Sequence, residues 1–232
     1  MNPNGNFPTL KVDLHLHTCA SVDGALHPAE VIKIAKRRGL DRICITDHNT
    51  IDGALAAQRI DPEFVIVGEE ILTDLGTEIL AFFVQEWVPP RLPPQEVVDR
   101  LVDQGAVISI SHPFDPHRNQ PWAEAWLEAI LPGLDAVESF NARTIRAEDN
   151  ERAGAFAKAH GLPTTAGSDA HTAMEIGAAF MEMPMFSTPD TFRAALPQAI
   201  IHGQLSPSWV HVFSTINKWR GRLGLKPRLD QR

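Results

Sequence analysis

The chain has 232 residues, enough for one barrel or two small domains, and its 44% hydrophobic and 22% charged residues are ordinary for a globular protein. It has no apolar run of about 18 residues, so no membrane span is expected; MNPNGNFPTLKVD at the start lacks the basic and apolar regions of a signal peptide. A formal charge of -8, with no Lys/Arg run before the C-terminal tail longer than Lys36-Arg37-Arg38, speaks against a long nucleic-acid groove, and two cysteines, Cys19 and Cys44, fit a reduced, cytoplasmic setting.

Residues 10–15 (LKVDLH) alternate as a strand does. Pro28 opens a helix that Gly39 closes. Strands are predicted at 42–47 and 64–70, with a short helix over 50–58 between them. A strand at 77–84 and a helix at 93–105, with Pro at its start and Gly at its end, come next. Then follow strand 106–112, helix 121–130, strand 134–140, helix 146–161 and strand 163–169. Residues 178–183 suggest one more strand, followed by a helix to about 202. Strands alternating with helices imply βα units and a mainly parallel sheet, and about seven units favour a closed barrel. Residues 1–205 are expected to form the barrel. The tail, 206–232, carries Trp209, Phe213, Ile216 and Trp219 at helical spacing, followed by Lys218, Arg220, Arg222, Lys226 and Arg228. It reads as a helical extension packed on the barrel through that stripe, or as one that binds a partner protein.

Five of the ten histidines fall in four short motifs: DLHLH (His15, His17), TDHN (His48), SHP (His112) and SDAH (His171). Each motif follows a predicted strand, and in βα-barrels the strand ends build the active site. His15 and His17, at i and i+2, point to one face of a strand. Asp13 shares that face and is a candidate to orient a histidine. Asp169 and His171 repeat the spacing. Asp47 is read as an orienting residue beside His48; Glu70 closes the third strand as a ligand type, and Glu69 as a solvated rim carboxylate. Mixed imidazole and carboxylate donors suit Zn, Mn or Fe, and there are more of them than one ion needs, so two or three clustered ions are expected. His27, His160, His202 and His211 lie away from the motifs and read as non-catalytic, and Cys19 as a buried thiol. His117 reads as an exposed loop histidine.

Taken together, DLHLHT, the aspartate of SVDG, ITDHNT, VGEE, SHP, ESFNAR and GSDAH resemble the PHP (polymerase and histidinol phosphatase) superfamily, in family order, from about residue 11 to 202. Within it the chain looks most like the stand-alone metal-dependent phosphoesterases. The resemblance implies a distorted (β/α)7 barrel and a ligand set of His15, His17, Asp23, His48, Glu70, His112, Asp169 and His171. Asp23 enters through the resemblance alone. A family ligand position near the end of the sixth strand is often His; this chain reads Glu138-Ser139-Phe140-Asn141 there, so Asn141 stands in or the third ion has one protein ligand fewer.

The expected reaction is hydrolysis of a phosphomonoester by a metal-bridged hydroxide, with Asp169, His171 and His15 as catalytic residues. Arg143 and Arg118 are candidates to grip phosphate oxygens through their bidentate forks, with Asn141 beside them. The resemblance points to a small phosphorylated metabolite, such as a nucleotide 3′,5′-bisphosphate, or the end of a short oligonucleotide. Two rival readings are histidinol-phosphate hydrolysis and a non-catalytic metal-binding module that captures a partner protein, which the basic tail favours.

Overall fold

Alternate residues of three central strands go to two different cores. In β2 (Arg42–Ile45), Ile43 and Ile45 join one apolar cluster and Cys44 another. In β3 (Val65–Leu72) the split is Val65 and Val67 against Ile66; in β4 (Glu78–Phe82) it is Ile79 and Ala81 against Leu80 and Phe82. This period of two is what a sheet covered on both faces requires. The first cluster packs the strands against α1 (Pro28–Arg37), α2 (Asp52–Ile60), α3 (Pro94–Asp103), α4 (Glu124–Ile130) and α5 (Ala147–Ala159). The second draws residues from all of the central strands, together with Phe186 and Phe192. These observations come from a computed structural model that describes residues 8–118 and 120–230. The first seven residues, part of the stretch read for a signal peptide, lie outside the described residues, as do Asn119 and the last two of the tail.

The helices follow their local chemistry. His27 caps α1 by accepting from the Ala29 amide at 3.3 Å, Pro28 occupies the first turn, and Gly39 ends the segment at φ +76°. Val31, Ile32 and Ala35 of α1 and Val97, Val98 and Leu101 of α3 form the buried stripes. Each fully buried Val or Leu contributes about 1.5–3 kcal/mol.

The remaining strands are β1 (Thr9–Leu16), β5 (Val107–Ile110), β6 (Ala136–Asn141), β7 (Thr164–Gly167), β8 (Ala179–Pro184) and β9 (Ile200–Gly203). The sheet order is β7-β6-β5-β4-β3-β2-β1-β8-β9. β4 runs antiparallel to both β3 and β5, which distorts the barrel. The far edge of β1 is divided. Thr9–Val12 pairs antiparallel with β8, whereas further along the amide of Asp169 donates to His15 O at 2.7 Å and that of His17 to Ala170 O at 2.9 Å. Those two bonds join β7 to β1 and nearly close the barrel at the end that carries the histidine motifs.

Two expectations are corrected here. The helix predicted after residue 183 is only α6 (Pro189–Ala195), followed by a 3-10 turn at Leu196–Gln198 and then β9. Pro197 cannot continue an α-helix, and Ile200 and Ile201 pair with β8 instead. The tail does form α7 (Val210–Arg222), but Trp209, Phe213, Ile216 and Trp219 are exposed, and Val210, Ser214 and Asn217 face inward. The surface beneath is a polar cleft, and indole rings laid over it would bury charged groups without partners. No described helix is long and apolar enough to cross a membrane.

Candidate metal centre and phosphate pocket

The barrel's closed end gathers every expected ligand. His15 and His17 leave β1 on one side, and their Nε2 atoms face each other at 3.1 Å. β1 can lie this close to β7 because residue 167 is glycine: a Cβ there would stand 2.3 Å from His15 Cβ. Glu70, from β3, brings Oε2 to 3.4 Å from His15 Nε2 and 3.5 Å from His17 Nε2. Asp169 Oδ1 lies 3.2 Å from His17 Nε2 and 3.6 Å from His15 Nε2. On one flank, Asp23 Oδ1 is 3.2 Å from His171 Nε2 and its Oδ2 is 3.6 Å from His48 Nε2. On the other, His112 Nε2 lies 3.1 Å from Glu70 Oε1, and His48 Nδ1 lies 2.9 Å from Glu70 Oε2. Asp169 and His112 sit at positive φ (+52° and +22°), conformations that cost about 1–3 kcal/mol each and concentrate at functional sites.

Three groups have donor atoms close enough to share an ion: His17, Asp23, His48 and His171; His15, His17 and Glu70; and His48, Glu70 and Glu78. The donor set fits divalent cations. Glu70 Oε2 and Asp169 Oδ1 are buried acceptors with no well-aligned hydrogen-bond donor, and two imidazole nitrogens meet head-on. The electrostatics show how much negative charge converges here: against the effect of burial, the surrounding carboxylates hold the His15 and His48 imidazoles well up, positive charge that a bound cation would replace. Burial would raise the carboxyls of Asp23, Glu70 and Asp169, yet the cationic groups around them hold all three well below the usual range. Burial, together with His171 and His48, pushes the His17 imidazole well down, towards the neutral form that ligates.

The supporting residues differ from expectation. Glu138, not Asp13, orients His15, with Oε1 2.9 Å from Nδ1. That bond assigns the proton to Nδ1 and leaves Nε2 free to coordinate. Asp13 instead accepts from the backbone amides of Ser168 and Gly177 at 2.9 and 3.0 Å, and burial pushes its carboxyl up to about 6. Asp47 accepts from the amide and hydroxyl of Thr18, both at 2.6 Å, fixing the loop after β1. Glu69 is fully buried rather than solvated, its Oε2 accepting from the Val88 amide at 3.1 Å. Asn141, expected at the substrate or as a stand-in ligand, is also fully buried. Its amide nitrogen donates to Glu138 and Asp169 at 3.2 Å, so it braces those carboxylates from behind the cleft's lining.

Beside the clusters lies a cleft of about 300 Å³, with Asp23, His48 and Glu78 on one side and Arg118, Arg143 and His117 close by. Arg118 pairs with Asp169, and Arg143 with Glu175 at 3.1 Å. His211, read as remote, lines the same cleft 3.4 Å from Arg143 Nη2. Glu78 was also missed: its carboxylate lies 3.6 Å from His48 and 3.7 Å from His112. An acid opening the apolar strand TEILAF carries the same signal that singled out Glu70. Glu138 had no comparable signal, because its role depends on barrel closure, which sets β6 one strand away from β1 with β7 between them.

Comparison with known proteins agrees with this geometry. The family model described as PHP domain matches residues 13–80, and the one described as PHP-associated matches residues 147–199. An uncharacterized protein of Methanocaldococcus jannaschii is 35% identical over 147 residues, 57% of this chain and 82% of that one. The chain belongs to the PHP superfamily. A probable histidinol-phosphatase of Thermotoga maritima is 25% identical over 209 residues, 74% of this chain and 89% of that protein. A two-domain protein from Bacteroides vulgatus, containing a predicted PHP-like metal-dependent phosphoesterase, shares the fold with a TM-score of 0.69 at 18% identity, over 85% of this chain and 66% of that one. The protein is a PHP-family phosphoesterase, and its ligand-type residues occupy the closed end of the PHP barrel.

Proposed function

We propose that this PHP phosphoesterase hydrolyses phosphomonoesters of small metabolites, with nucleotides or the ends of short oligonucleotides as its substrate class. The observation that carries the reading is the placement of Arg118 and Arg143 in the wall of a cleft that also opens onto Asp23, His48 and Glu78. His15, His17, Asp23, His48, Glu70, His112, Asp169 and His171, joined by Glu78, would hold two or three divalent ions, of Mn, Fe or Zn type. When bound, such ions lower the pKa of water and neutralise phosphoryl charge.

The chain's own residues supply the rest. The two guanidiniums present several N–H donors to phosphoryl oxygens. Arg118 and the imidazoles hold Asp169 anionic, which keeps it fixed at the centre of the His15–His17 pair. His171, whose amide donates to Glu175, is held in place from behind. The cleft, about 300 Å³, is of a size for a small ester or a nucleic-acid end, in keeping with the acidic net charge. Two free, buried cysteines accord with a reduced, cytoplasmic setting. The probable histidinol-phosphatase among the relatives makes histidinol phosphate the second substrate to try.

The test is phosphate release by Mn²⁺-loaded protein across nucleotide monophosphates and bisphosphates, histidinol phosphate, sugar phosphates and diesters. Faster turnover of nucleotide monoesters supports the reading. Release from diesters alone, or from histidinol phosphate alone, displaces it.

A further inference from the structure

The family models end at residue 199, yet one wall of the cleft comes from beyond that point. His211, Ser214, Thr215 and Lys218 stand at i, i+3, i+4 and i+7 on α7, a single helical face, and all four line the cleft. An amphipathic helix ordinarily buries its apolar stripe. This one is held by polar bonds instead: Arg143 Nη2 donates to Ser214 Oγ at 2.7 Å, and Lys218 Nζ lies 3.4 Å from Asp23 Oδ2. Further along the tail, the Lys226 ammonium donates to the carbonyl of Ser21.

The cations of the cleft are not equally committed. Arg118 and Arg143 are paired with the buried carboxylates of Asp169 and Glu175. Lys218 is 51% exposed and shares Asp23 with His48 and His171. A metal ion on Asp23 would draw on the same oxygens and leave the ammonium, on its flexible stem, to turn toward the cleft.

We propose that α7 builds a second anion subsite, in which Lys218 receives a second anionic group, phosphate or carboxylate, of a substrate whose reacting phosphate lies against Arg118 and Arg143. The proposal rests on the phosphoesterase reading of the cleft. It makes the tail a specificity element of the site.

Two matched ester pairs test it and separate the two kinds of anion. Fructose 1,6-bisphosphate against fructose 6-phosphate adds a phosphate; 3-phosphoglycerate against glycerol 3-phosphate adds a carboxylate. With Mn²⁺-loaded protein, the doubly charged ester has the lower KM in at least one pair. Lys218→Ala cuts that preference about tenfold through KM, as loss of a charge-assisted hydrogen bond does, and Lys218→Arg restores most of it. Calorimetry reads the subsite without turnover: Lys218→Ala weakens pyrophosphate about tenfold more than inorganic phosphate. In a protein that turns over these esters, no preference in either pair overturns the subsite, as does a Lys218→Ala protein that keeps the preference and binds pyrophosphate normally. Lys218-dependent pyrophosphate binding in a protein that hydrolyses no ester leaves the subsite standing and removes the phosphoesterase reading.

Discussion

Oε1 of Glu138 lies 2.9 Å from Nδ1 of His15, and both side chains are fully enclosed. The carboxylate selects the tautomer that turns the His15 Nε2 lone pair toward His17, Glu70 and Asp169. Glu138→Ala is therefore expected to weaken Mn²⁺ binding by about 10–100-fold, the usual effect of losing a partner behind a ligating histidine. Glu138→Gln, which keeps an acceptor oxygen, should lose less. Calorimetric Mn²⁺ titration of both variants checks the order.

Glu69 gives a pH prediction. Burial pushes its carboxyl from 4.5 up to about 8. Between those values the folded protein keeps a proton that the unfolded chain releases, so this group makes stability fall as pH rises across the window. Glu69→Gln retains an acceptor for Val88 and carries no charge. Its stability relative to wild type should grow from about pH 4.5 to about pH 8, as read from urea midpoints at several pH values.

Gly167 is where β7 meets β1. A methyl group there would stand 2.3 Å from His15 Cβ and 2.7 Å from the His15 backbone nitrogen, neither of which is a flexible chain end. Gly167→Ala should cost about 1–3 kcal/mol and displace His15. Urea unfolding measures the first effect, and loss of Mn²⁺ affinity the second.

Ligand carboxylates packed together repel one another until cations join them. Chelation should lower Tm. Mn²⁺ at about 100 times its Kd should add about 2.7 kcal/mol per independent site relative to the metal-free protein. Differential scanning calorimetry with and without chelator decides this; an unchanged Tm would argue against binding by the native state.

Much of this site could be read from the sequence, because strand periodicity places residues i and i+2 on one face. That was enough to set His15 beside His17 and Asp169 beside His171 at the barrel's end. What depends on neighbours across the barrel was not legible. In the sequence only Asp13, two residues before His15, has a claim on it, and the position of β6 decides for Glu138 instead. Glu69 and Glu70 are adjacent acids with opposite fates, one turned to the Val88 amide and the other to the histidines. In α7 the pattern misled, because the apolar stripe from Trp209 to Trp219 would pack inward over an apolar surface, and the surface here is a charged cleft.

If the clustered histidines and carboxylates hold divalent ions on which phosphoester hydrolysis depends, metal content and turnover must rise and fall together. The most direct measurement is metal content by mass spectrometry alongside phosphate release, in the same samples of wild type and His17→Ala, after chelation and Mn²⁺ re-addition. Wild type should regain two or three ions and phosphate release together, and His17→Ala, which removes a member of two of the three clusters, should regain neither in full. Equal phosphate release from chelated and reloaded wild type, or an undiminished rate in His17→Ala, would contradict this dependence.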